Sequence, residues 1–175
     1  MNGDIKIIAR VAVFAALVFI FSYFSMFISG FNLSFFIVFA SAFVWGLYPG
    51  LAVGVVGFFL WSNFNPFGPA PLPLLISQLI GISMTAVIGK VCSKIITLNN
   101  YNPKVIVVLS LAGLFSGLTY HLIVDIVDAW LYQPFIPRLM AGLFFSLITI
   151  VSNAIIFPLL YPALRFLGRN ETGRC

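Results

Sequence analysis

The chain has 175 residues, of which 62 % are hydrophobic and 7 % charged, with a formal charge of +5. Soluble globular chains run at about 45–50 % apolar and about 25 % charged, so this chain has too few charges to clothe a water-facing surface and buries its surface in lipid. At about 20 apolar residues per span, the length holds at most about six or seven helices and leaves no room for a nucleotide-hydrolysing or nucleic-acid-binding module; the basic excess reads as membrane orientation instead.

Six apolar segments follow one another, at about 5–29, 33–48, 50–63, 71–95, 104–131 and 137–166. Backbone polar groups left unpaired in hydrocarbon are costly, which limits spans to helices or closed barrels. Long apolar runs without alternation favour helices. The expected fold is therefore an all-α membrane protein, a compact bundle of six transmembrane helices forming one integral membrane domain over residues 1–175.

The first segment begins with Lys6 and Arg10, and its apolar run is too long for a typical cleaved signal peptide, so it is expected to be retained. It carries Ala9, Ala12, Ala15 and Ala16, a flat strip of small side chains at helical spacing. Two readings stand side by side: packing within this chain, or a docking strip, through Ala12 and Ala16, for another membrane protein. The second and third segments are short, at about 16 and 14 residues, and a tight turn at Tyr48-Pro49-Gly50 joins them. They are expected to tilt, or to form a pair that does not cross fully. Gly46, Gly50, Gly54 and Gly57 run through them as packing surfaces, as do Gly81, Thr85 and Gly89 in the fourth segment and Gly113 and Gly117 in the fifth.

The fifth segment also holds His121, Asp125 and Asp128. Their i, i+4, i+7 spacing places all three on one helix face. Ionisable groups inside a span are costly and normally face an interior or a wet cavity. The sixth segment carries Asn153 near its middle.

Charge sorts the connections. Of the nine Lys and Arg residues, Lys6, Arg10, Lys90, Lys94, Lys104, Arg165, Arg169 and Arg174 fall on one side of a six-span topology, and only Arg138 falls on the other. The positive-inside rule then places both termini in the cytoplasm of a multi-pass plasma-membrane protein. The polar residues of the spans gather in the opposite, outer half. Each has an ordinary explanation: Trp61 with Trp130 and Tyr132 as aromatic-belt residues, Asn63 and Asn65 as turn formers, Asn153 as glue between helices. Their gathering is better explained by a small pocket open to the outside. The expected substrate-binding residues are Trp61, Asn63, Gln78, Tyr120, His121, Asp125 and Asn153.

No motif for an enzyme is present: no nucleophile elbow, no paired histidines and no phosphate loop. A metal site is not expected from one histidine, and no cofactor is implied. Cys92 and Cys175 do not form a disulfide framework.

In size, in six helices with both ends inside and in several diffuse motifs, the chain resembles the substrate-binding S components of energy-coupling factor transporters, which take up vitamins and related micronutrients in prokaryotes. The motifs are Ala12-Val-Phe-Ala-Ala16, Ala42-Phe-Val-Trp-Gly46-Leu-Tyr-Pro-Gly50 followed by Gly54 and Gly57, and Asn65-Pro-Phe-Gly68 leading into Pro73-Leu-Leu-Ile-Ser-Gln78-Leu-Ile-Gly81. The resemblance implies a prokaryotic cell membrane, a small vitamin-like substrate captured from outside, and docking through the alanine strip onto a membrane T component driven by two ATPases. It leaves the substrate unnamed. The rivals are a stand-alone proton- or ion-coupled carrier and a structural membrane scaffold.

Overall fold

The computed structural model describes residues 3–27, 31–98 and 102–172. These form α1 (Gly3–Phe27), α2 (Ser34–Trp45), α3 (Leu47–Phe64), α4 (Leu72–Ile95), α5 (Pro103–Leu131), α6 (Phe135–Leu159) and α7 (Tyr161–Thr172). No strand occurs among the described residues. The helices α1, α3, α4, α5 and α6 are long and apolar enough to cross a bilayer, as in a multi-pass membrane protein.

Two expectations are corrected, and the shortness expected of the second segment is more pronounced than its apolar run suggested. The second segment yields a helix of 12 residues, about 18 Å at 1.5 Å per residue, too short to cross a hydrocarbon core of about 30 Å alone. It is instead packed in: every residue from Ser34 to Ala42 is buried. A helix apolar on all sides belongs inside a bundle. Next, the break between α2 and α3 falls at Gly46, not at Tyr48-Pro49-Gly50. Gly46 has φ 100° and ψ 175°, a region essentially confined to glycine. Pro49 sits in the first turn of α3, where its missing N–H costs no hydrogen bond. Finally, the apolar stretch 137–166 is two helices. Pro158 lies in the last turn of α6, Leu160 leaves helical geometry, and α7 starts at Tyr161. A proline ring removes a backbone donor and crowds the preceding turn, so the helix bends there.

Close approaches set the register of neighbouring helices. Along α2 and α3, Gly50 lies against Ala42, Gly54 against Val38, and Phe58 edge-on to Phe35. Along α5 and α6, Gly113 meets Asn153, Gly117 meets Ile150, His121 meets Ser146, Asp125 meets Gly142, and Asp128 meets Arg138. Both pairs are antiparallel. On α5 this contact face runs through residues at about one-turn intervals, so the face holding the ionisable side chains is the one pressed against α6.

Basic residues collect at one end of the bundle. The Arg10 guanidinium lies 5.6 Å from the Trp45 ring centroid, and Trp45, Lys90, Lys94 and Gly168 of α7 line one cleft. Tyr161 and Leu164 hold α7 to the core, and the Tyr161 hydroxyl donates to the Leu98 carbonyl at 2.9 Å. The connections α3–α4 and α5–α6 lie at the opposite end, where Asp128 and Arg138 pair.

Candidate functional site

The site is a hydrogen-bonded chain between α5 and α6. His121 and Asp125 stand one turn apart on α5, and Ser146 faces both from α6. The Ser146 hydroxyl donates to Asp125 Oδ2 at 2.5 Å, and Ser146 Oγ lies 2.9 Å from His121 Nδ1. A hydroxyl carries a single proton. With that proton directed to the carboxylate, Nδ1–H must be the donor to Oγ. In a neutral imidazole the lone pair then resides on Nε2, and Nε2 is buried without a hydrogen-bond partner. His121 and Asp125 do not bond directly, since Nδ1 and Oδ1 are 3.8 Å apart, beyond hydrogen-bond range.

Aromatic rings wall the chain on the α2 and α3 side. The Tyr120 ring is edge-on to His121 at 5.2 Å and to Phe35 at 5.1 Å, and Phe58 follows at 5.5 Å from Tyr120. Gly81 lets Tyr120 approach: a Cβ there would stand 2.8 Å from the ring. On the α6 side Gly142 faces the Asp125 carboxyl group. His121 and Asp125 keep 19 % and 11 % of their side-chain surface, so the network is close to, but not sealed from, the exterior.

The order of groups differs from a hydrolytic triad. There the imidazole lies between hydroxyl and carboxylate and removes the hydroxyl proton. Here the hydroxyl lies in the middle and the imidazole donates to it. What the arrangement offers is a carboxylate held by a neutral donor and an imidazole acceptor, both matched to a ligand bearing N–H or O–H groups.

The remaining residues expected at the site divide into two groups. Asn153 lies on the same face of α6 as Ser146, two turns nearer the basic end. It is fully buried between Gly113 and Gly117, and neither amide atom has a partner. The Ser116 and Thr85 hydroxyls are likewise buried and unpaired. Trp61 and Asn63 lie in the last turn of α3, and Gln78 lies in the second turn of α4. Gln78 Oε1 accepts from Ser62 Oγ at 2.5 Å, tying α4 to α3. Trp61 packs edge-on against Tyr23 at 5.1 Å, and the Tyr23 hydroxyl donates to the Phe64 carbonyl. Asn63 donates to the Phe59 carbonyl of its own helix, and Asn65 forms a turn by accepting from Phe67 N–H. Phe58 of α3 and Gly81 of α4 both pack on Tyr120, which links this group to the His121 chain through apolar contact. On α1, Ala12 and Ala16 face away from the bundle, whereas Ala15 and Val18 face into it beneath Gly57.

Sequence reasoning missed Ser146, the centre of the network. Its signal was available: Ser146 and Asn153 are seven residues apart, two turns of one helix face. It also missed the pairing of Asp128 with Arg138, whose guanidinium holds the carboxylate at 2.6 and 3.2 Å. Spacing along one helix carries no information about a partner on the next. No group of three or more metal-ligating side chains occurs among the described residues.

No family model matches the chain, and neither a curated protein nor a solved structure does.

Proposed function

We propose that this chain is the substrate-capture subunit of an energy-coupling-factor type uptake transporter in a prokaryotic plasma membrane. On this reading it crosses the membrane with both ends cytoplasmic, binds a small vitamin-like molecule in its outer half, and docks onto a T component powered by two ATPases. The carrying observation is the Asp125–Ser146–His121 chain, with a buried Nε2 that has no partner. An aspartate within a span costs about 2.5–3.5 kcal/mol on insertion scales. A neutral serine alone compensates that cost in part, and donors on a ligand would complete it at the carboxylate and at Nε2. Ala12 and Ala16 at the bundle surface suit close approach of a second membrane protein.

The test begins with mass spectrometry of small molecules that copurify with the protein. Titration calorimetry with the molecule found should then give binding about ten- to a hundredfold weaker in Asp125→Asn, the weight of one charge-assisted hydrogen bond. Ala16→Trp should leave that binding intact while uptake in cells falls. Unchanged affinity in Asp125→Asn moves the ligand to the α3–α4 group around Trp61 and Gln78. Parallel loss of binding and uptake in Ala16→Trp makes the alanine strip internal packing.

One observation favours a second reading. Nδ1–H to Oγ–H to carboxylate is a continuous path along which a proton can move, as a proton-coupled carrier requires. Reconstituted alone in vesicles, such a carrier moves its substrate when a pH gradient is imposed. A capture subunit without its partners does not.

A further inference from the structure

The elbow between α6 and α7 opens a groove of about 730 Å³ at the basic end of the molecule, lined by Pro158, Leu159, Pro162, Arg165, Phe166 and Arg169. Arg165 and Arg169 are one turn apart, so their guanidinium groups share a face of α7. Beside the groove the surface is hydrocarbon: Leu159 is 69 % and Phe166 65 % exposed. The apolar track continues up the outer flank of α6 through Ile155 and Val151, at 56 % and 58 % exposure and again about one turn apart. Leu164 of α7 is buried in the core, and Tyr161, also buried, forms the inner wall of the groove.

We infer that this groove is a binding site for an anionic glycerophospholipid. The phosphate would sit between Arg165 and Arg169, and one acyl chain would follow Leu159, Ile155 and Val151. Charge complementarity alone would accept any phosphate. The hydrocarbon track leading from the two arginines along a membrane-crossing helix matches an amphiphile, with the charge at the interface and the chain in the bilayer. Guanidinium groups suit phosphate oxygens because of their planar, multiple donors. This site is remote from the His121 network and stands whether or not the capture-subunit reading holds.

The test is native mass spectrometry of the full chain released from nanodiscs of phosphatidylcholine containing a minority of phosphatidylglycerol. Wild type should retain phosphatidylglycerol in preference to phosphatidylcholine. Juxtamembrane basic residues contribute roughly fivefold each to anionic-lipid binding, so Arg165→Gln with Arg169→Gln should reduce that preference about 25-fold. Lys90→Gln with Lys94→Gln removes the same charge from the same end, and away from the groove it should reduce the preference clearly less than the arginine pair does. Arg165→Lys with Arg169→Lys keeps the charge and should restore most of it, which separates loss of the site from loss of the fold. Equal loss in the two glutamine variants would reduce the effect to diffuse attraction and overturn the proposal. So would retention by the arginine-to-glutamine variant. Thermal protection in detergent by inorganic phosphate, with no preference for phosphatidylglycerol, would assign the groove to a soluble anion and also overturn it.

Discussion

Ser146 accepts from His121 and donates to Asp125, so one small side chain satisfies two polar groups on the facing helix. Removing it strands both. Leaving a buried donor or acceptor unpaired costs about 1–3 kcal/mol, and the direct His121–Asp125 approach at 3.8 Å can recover part of this if the imidazole turns. Ser146→Ala should therefore lower the thermal midpoint in a fixed detergent by several degrees, and Asp125→Asn on top of it should lose less than the two single changes together. Simple additivity of the two losses would show that Ser146 and Asp125 are not coupled. Asn153 presents the opposite case. Its amide is fully buried and makes no hydrogen bond among the described residues, so Asn153→Leu, similar in volume, relieves a desolvated polar group and should keep or raise the midpoint. A fall of several degrees would mean that the amide holds a partner within the fold.

At the scale of helices, glycines decide how closely the elements meet. A Cβ on Gly113 would fall 2.2 Å from the Asn153 carbonyl oxygen and 2.6 Å from its carbon. Those are backbone atoms and cannot swing aside. Alanine improves helix propensity by about 1 kcal/mol, whereas overpacking costs about 1–3 kcal/mol or more, so the clash wins and α5 and α6 must separate. Gly113→Ala should destabilise the protein and weaken ligand binding, because the same separation opens the Ser146 hydrogen bonds. Gly46 is constrained differently. No atom lies within 4 Å of a Cβ placed there, but its φ of 100° strains any L-residue. Gly46→Ala should cost about 1–3 kcal/mol through the backbone alone and leave ligand affinity unchanged, since α5 and α6 are untouched. Thermal unfolding combined with calorimetry on both variants separates the two mechanisms. Equal effects on affinity would refute the separation.

The molecule as a whole is polar in one sense only. Arg10, Lys90 and Lys94 meet at one end with α7, and the Asp128–Arg138 pair lies at the other. That pair is partly exposed, so its stabilisation is modest, about 0–1 kcal/mol. On the proposed topology the first end is the cytoplasmic one, as the positive-inside rule predicts. In a background with Cys92→Ala and Cys175→Ser, a cysteine at Gln133 should react with a membrane-impermeant maleimide in intact cells. A cysteine at Lys94 should react only after lysis. The reverse pattern would invert the molecule and put the His121 network in the inner half.

Membrane class, the approximate extent of the long helices and the shared face of His121, Asp125 and Asp128 were all legible in the amino-acid sequence. They depend on composition and on the 3.6-residue period, both local properties of the chain. The start of α5 at Pro103 falls beside the expected boundary at about 104, and Asn102 caps it by accepting from Val105 N–H. The shortness of α2 was legible, but its enclosure was not, because hydropathy does not distinguish a helix in lipid from one surrounded by other helices. Nor was the break at Gly46, whose neighbouring Pro49 and Gly50 form an equally good turn signal. The partners of the polar groups came from tertiary structure alone. Asp125 found Ser146, Asp128 found Arg138 and Gln78 found Ser62 across helix interfaces, and those meetings are set by the register in which glycine faces let antiparallel helices close, a distance that no spacing within one helix encodes.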